Sequence, residues 1–94
     1  MNNQQSTTNI DFLQVTVHTR EGIVYQGKAT AVSGKNNKGV FDVLPMHANF
    51  VTTLFESIVV HTETGNPFNK PLERGLLWAR SGNTVDVYVG IGTT

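Results

Sequence analysis

The sequence predicts an all-β fold, a two-sheet and mostly antiparallel β-sandwich of about ten short strands. Three observations predict it. Apolar residues alternate with polar ones at period two, as at Leu13, Val15 and Val17 and again at Val85, Val87 and Val89. Turn clusters bearing glycine recur roughly every eight to twelve residues, the spacing of short strands in a sandwich or barrel. No stretch carries the apolar period of an amphipathic helix.

Taken in order, residues 1–9 (Met-Asn-Asn-Gln-Gln-Ser-Thr-Thr-Asn) have nothing to bury and read as a disordered polar leader, with the domain at 10–94. Leu13, Val15 and Val17, separated by Gln14, Thr16 and His18, form the first strand. Arg20-Glu21-Gly22 supplies a turn, Gly22 being free to take positive φ. Ile23-Val24-Tyr25 continues as a strand to Gly27, read as a second reversal, and residues 28–33 form a strand of small side chains. Ser33-Gly34-Lys35-Asn36-Asn37-Lys38 reads as a protruding polar loop. Gly39 then opens a strand of Val40, Phe41, Val43 and Leu44, stopped by Pro45, which has no N–H for a sheet ladder.

Met46-His47-Ala48-Asn49 makes a corner, and Phe50-Val51 resumes an extended pattern until Glu56-Ser57 breaks it. Residues 58–62 form the next strand, and Thr64-Gly65-Asn66-Pro67 is a strong turn cluster. Residues 68–72 cross back and residues 75–80 form a strand. Ser81-Gly82-Asn83 closes a hairpin onto Val85, Val87 and Val89, and Gly90-Ile91-Gly92 ends the core.

Composition narrows the function. At 94 residues the chain is one domain, a size that buries about 60–65% of the unfolded surface. It has no cysteine, which excludes disulfides, a thiol nucleophile and cysteine-bound metal. A formal net charge of zero argues against binding nucleic acid by phosphate neutralisation. No apolar run approaches the ~20 residues of a membrane span, and the N-terminus lacks the pattern of a signal peptide.

Reactive constellations are missing. His18, His47 and His61 are not brought together by any spacing that suggests a metal site. His47 is read either as a corner ring packed on the sheet and donating to a carbonyl, or as a contact presented to a partner. Ser33 and Ser57 lack a nucleophile elbow. Glu56, Glu63, Glu73 and Asp86 fall in turns or on solvent-facing positions, where solvated charge is expected. The glycines of residues 33–39 precede a strand, whereas a phosphate cradle needs a helix N-terminus. The expectation is a non-catalytic protein without cofactor or metal.

One segment is more specific. Gly39-x-Phe41-x-Val43-Leu44-Pro45-x-His47-Ala48-x-Phe50-Val51-Thr52 resembles the signature of the epsilon subunit of F-type ATP synthases, whose mitochondrial counterpart is called delta. The opening hairpin, through Glu21-Gly22-Ile23-Val24-Tyr25, and the closing hairpin, Glu73 to Arg80 with Thr84 to Val89, are similar to that family's in order and spacing. The resemblance covers about residues 12–92, and it implies the subunit's N-terminal β-sandwich. It also implies a non-catalytic rotor subunit, monomeric in isolation, that links gamma to the membrane c-ring on the cytoplasmic side of a bacterial inner membrane and couples ion translocation to ATP synthesis.

On that resemblance the c-ring-facing residues are Lys35, Asn36, Asn37, Lys38, Gly39 and His47, and the exposed gamma-facing residues are Phe50, Leu54, Leu77 and Trp78, with Phe55 beside them. Lysines stand where relatives often carry acids in the loop, Met46 where a glycine is usual and Asn49 where a proline is usual. No residues matching the family's C-terminal helical hairpin follow, so its inhibitory and ATP-binding properties are not expected. The alternative is a free-standing β-sandwich that binds a ligand or serves adhesion, which a deep pocket or an aromatic platform for sugars would favour.

Overall fold

The computed structural model describes residues 12–81 and 83–90. They form seven strands and no helix: β1 (Leu13–Thr19), β2 (Gly22–Ala29), β3 (Ala31–Asn36), β4 (Gly39–Val43), β5 (Phe50–His61), β6 (Phe68–Arg80) and β7 (Thr84–Val89). The strands join in one hydrogen-bonded sheet ordered β2-β1-β7-β6-β5-β3-β4. Every neighbouring pair is antiparallel except β1 with β7, which is parallel. The leader expected at 1–9 lies outside the described residues.

One bend turns this sheet into two layers. β5 and β6 are 12 and 13 residues long, and their register slips where Phe55 pairs with Arg74 but Glu56 pairs with Leu72. Glu73 is therefore an extra residue on β6, a bulge that bends the pair and increases its twist. Glu56 takes a φ of 72° at the same place. Inward parity on β6 switches across the bulge, from Phe68 and Leu72 to Gly75, Leu77 and Ala79. The early half of β5 and late half of β6 lie with β7, β1 and β2, while the other halves lie with β3 and β4. Rings meet across the layers: Tyr25 of β2 lies 5.2 Å from Phe68, and Phe41 of β4 lies 6.5 Å from Phe50.

Between the layers sits one core cluster, in which Leu13, Val15 and Val17 of β1, Val32, Val43, Leu54, Ile58, Val60, Leu77, Ala79, Val85 and Val87 are all buried. Close approach demands glycine at Gly75 and favours it at Gly34. A Cβ at Gly34 would lie 2.8 Å from the Leu54 side chain, and one at Gly75 would lie 2.8 Å from the backbone oxygen of Tyr88.

Four expectations are corrected here. The strands number seven, because β5 and β6 each run straight through a place where apolar alternation fails; a bulge breaks parity without breaking pairing. The two sheets are the folded halves of one. Lys35, Asn36 and Gly39 are strand residues, so the loop at 33–38 contracts to the two-residue turn Asn37-Lys38, held by Lys38 N–H donating to Asn36 Oδ1 at 2.9 Å. Leu54 and Leu77, expected on an exposed flank, are wholly buried, since both share inward parity with the core.

Candidate protein-docking site

The outer face of β2-β1-β7-β6-β5 is built by register. Val51 pairs with Trp78, Trp78 with Asp86, Asp86 with Thr16 and Thr16 with Gln26, so one row crosses five strands. Val51 is 56% exposed and Trp78 39%. Ile23 is also exposed, near the hairpin end of β2. Trp78 has two polar neighbours: its indole N–H points to Asn49 Oδ1 at 3.4 Å, and the Arg80 guanidinium sits over its ring at 5.0 Å. An aromatic side chain placed in this way, with an arginine on its face, has the composition of an interface anchor.

Asp86 underlies the face. It is only 7% exposed, not solvated as its alternation with valines suggested. Its Oδ1 accepts from His18 Nε2 at 3.1 Å, and its Oδ2 accepts from Arg80. His18 in turn stacks on Tyr88, with centroids 4.5 Å apart and planes 8° from parallel. Trp78, Arg80, Asp86, His18 and Tyr88 thus form one continuous chain over β6, β7 and β1. The sequence reading missed Asp86. Its signal lay in an Arg80 and a His18 of matching outward parity on the two strands that flank β7.

The remaining predicted site residues fall elsewhere. Asn37 and Lys38 make the tip of the β3–β4 hairpin and are exposed. Lys35 donates to Glu56 at 2.9 Å and Asn36 Nδ2 to Thr52 Oγ1 at 3.0 Å, so both are tied to β5 rather than presented. His47 belongs to the corner beyond the far end of β4. Its Nδ1 lies 3.0 Å from the Leu44 carbonyl, which only accepts, so Nδ1 carries the proton. The ring meets Phe50 edge-on at 6.4 Å, and its Nε2 is buried without a hydrogen-bond partner among the described residues. The corner is pinned to the β6–β7 turn by the Met46 N–H donating to Asn83 Oδ1 at 2.7 Å. Around it Leu44, Met46 and Phe50 are exposed at 57%, 69% and 36%, a large apolar area for so small a domain.

The described residues do not assemble a reactive centre. Ser33 Oγ donates to Asp42 Oδ1 at 2.6 Å and lies 2.8 Å from His61 Nε2. The single hydroxyl proton is spent on Asp42, so His61 donates to Ser33, the reverse of what activates a nucleophile. Among the described residues no group of three or more His, Cys, Asp or Glu could hold a metal ion, and no helix is long and apolar enough to cross a membrane. A shallow hollow of about 260 Å³ between β3, β4 and β5 is rimmed by Lys35 and Glu56, which neutralise each other.

Comparison with known proteins agrees with this architecture. A chain from the mitochondrial ATP synthase of Euglena gracilis, in an assembly of OSCP, F1 and c-ring, superposes with a TM-score of 0.77 at 19% identity, covering 95% of this chain and 59% of that one. A chain from the central stalk and c-ring of the Tetrahymena thermophila mitochondrial ATP synthase gives 0.68 at 13% identity, covering 87% of this chain and 66% of that one. This chain therefore spans under two thirds of either. No curated protein sequence matches it. The family model for the ATP synthase delta/epsilon chain beta-sandwich domain matches residues 12–88, nearly all of the described fold. The chain belongs to that family.

Proposed function

We propose that this chain is a non-catalytic central-stalk subunit of an F-type ATP synthase, seated between gamma and the c-ring and coupling ion translocation to ATP synthesis by transmitting rotation. The match over residues 12–88 carries the reading, and both solved neighbours come from assemblies that include the c-ring. The working unit is the sandwich at 10–94. It acts by shape and interface burial: rigid strands hold apolar anchors at fixed positions, and a stable pair of proteins buries on the order of 1,200–2,000 Å².

Gamma docks on the face of Trp78, Val51 and Arg80; Phe50, paired with the buried Ala79, turns instead toward Phe41 and His47. Leu54 and Leu77 support that face from below. The c-ring meets the end that carries the exposed Asn37-Lys38 tip, while Lys35, Asn36 and Gly39 set the shape of that tip and His47 braces the corner that follows β4. Lys38 there suits acidic or carbonyl-rich loops on the ring, Lys35 being paired with Glu56. The station is peripheral to the coupling membrane. The resemblance implies the bacterial inner membrane, whereas both solved neighbours are mitochondrial.

Calorimetric titration with gamma from the same source, followed by c-ring, tests this. A saturable one-to-one complex that then captures the ring is expected. A folded, monomeric chain that binds neither would overturn it.

A further inference from the structure

We infer that Asp86 is a positioning residue for docking: it holds Arg80 over Trp78, so that the pair meets a carboxylate set beside an apolar side chain on the partner surface. This rests on the proposed docking of gamma on the outer face. Three observations carry it. First, Asp86 is buried, yet both of its oxygens are used by outward-facing donors, His18 Nε2 and Arg80. A carboxylate in that position serves what lies above it, because the core beneath is valine and leucine.

Second, Arg80 is bound at one edge only. One terminal nitrogen donates to Asp86 and the guanidinium carbon lies over the Trp78 ring at 5.0 Å, while the side chain is still 47% exposed. Its Nε and second terminal nitrogen have no partner among the described residues. An arginine fork fixed in this way accepts a carboxylate with little ordering cost, because its geometry is set before the partner arrives.

Third, the charge the face offers is mostly of one sign. By register its paired charged residues are Lys28 (opposite Gln14), Arg74 (opposite Phe55), Arg80 and Asp86, of which Asp86 is covered, while the exposed Glu73 stands unpaired at the bulge beside Arg74. The balance is cationic, with Trp78 and Val51 as the apolar centre. The matching patch on gamma carries acidic residues around an apolar side chain.

The full chain has a single tryptophan, so its fluorescence reads the pair directly. Asp86→Asn keeps the shape but weakens the hold on Arg80; Arg80→Gln, at an exposed position, removes the fork and leaves the core untouched. In the free chain Asp86→Asn is expected to increase acrylamide quenching of Trp78 and change its emission. In titrations with gamma each variant is expected to weaken binding about five- to tenfold, the cost of ordering or losing one such side chain. The double variant should weaken it by the same factor and not by the product, since Asp86 acts through Arg80. A loss of folding alone would not produce that non-additivity.

Unchanged quenching in Asp86→Asn, or additive losses in the double variant, would overturn the positioning role while leaving the docking of gamma intact. A wild-type chain that does not bind gamma would overturn the docking itself and the anchor role with it, whatever the quenching shows. Gamma affinity unmoved by Arg80→Gln would reject the acidic partner patch.

Discussion

Leu77 and Trp78 are neighbours on β6 that face opposite ways, and truncating each should separate stability from docking. Leu77 is 0% exposed and lies between Thr52 on β5 and Val87 on β7. Both neighbours are fixed by strand pairing, so the cavity left by Leu77→Ala cannot collapse fully. Such truncations cost about 2–5 kcal/mol, and a site this constrained belongs near 3–4 kcal/mol. For a domain of this size each kcal/mol lowers the melting temperature by about 4–8 °C, which gives a fall of roughly 12–30 °C. Trp78→Ala instead removes a ring 39% exposed and its arginine contact, costing about 1–2 kcal/mol of stability. Its larger effect is on gamma, where loss of an aromatic anchor weakens binding by about 2 kcal/mol, or roughly thirtyfold. Melting by circular dichroism and titration with gamma measure the two axes on the same samples. Equal melting losses, or a Trp78→Ala variant less stable than Leu77→Ala with undiminished gamma affinity, would refute the assignment of faces.

Other outcomes follow from the same geometry. Gly75→Ala should destabilise by about 2–4 kcal/mol in denaturant titration, because its methyl would strike the rigid Tyr88 backbone oxygen. Gly34→Ala should cost less, since the opposing atoms belong to the movable side chains of Leu54 and Phe41. Met46→Gly should stabilise by about 0.5–1 kcal/mol, as Met46 holds a φ of 66° that glycine adopts freely. Lys35→Ala should shift stability by no more than about 0.5 kcal/mol, because its bond to Glu56 joins two well-exposed side chains.

Much of this was legible in the sequence, and the failures have physical causes. Period-two alternation identified the strands, and the segment around Pro45 identified the family, because a proline stop and a tight corner leave chemical marks. Alternation could not see the bulge at Glu73. An extra residue preserves hydrogen bonding while switching which parity faces inward, so Glu56-Ser57 and Glu73-Arg74 read as breaks in strands that in fact continue. Leu54 and Leu77 were set on the flank because an apolar residue beside an exposed one does not reveal its own side until the sheet is folded. Polarity misled twice: Lys35 and Asn36 looked like loop but pair within β3, and Asp86 looked solvated but is covered by partners from β1 and β6. Those partners are six and 68 positions away in sequence, and only the parallel pairing of β1 with β7 brings the distant one near.

Site-specific cross-linking in the assembled ATP synthase is the most direct test of the proposed docking. The chain has no cysteine, so one introduced at Val51 or at Glu63 gives a unique attachment point for a photoactivated cross-linker. Val51 is exposed beside Trp78, whereas Glu63 lies in the turn after β5, on the part of that strand paired with β3. Docking on the Trp78 face predicts a gamma adduct from Val51→Cys and none from Glu63→Cys. A gamma adduct from Glu63→Cys alone would move the interface to the other layer. No adduct with any synthase subunit from either position would contradict a place in the central stalk.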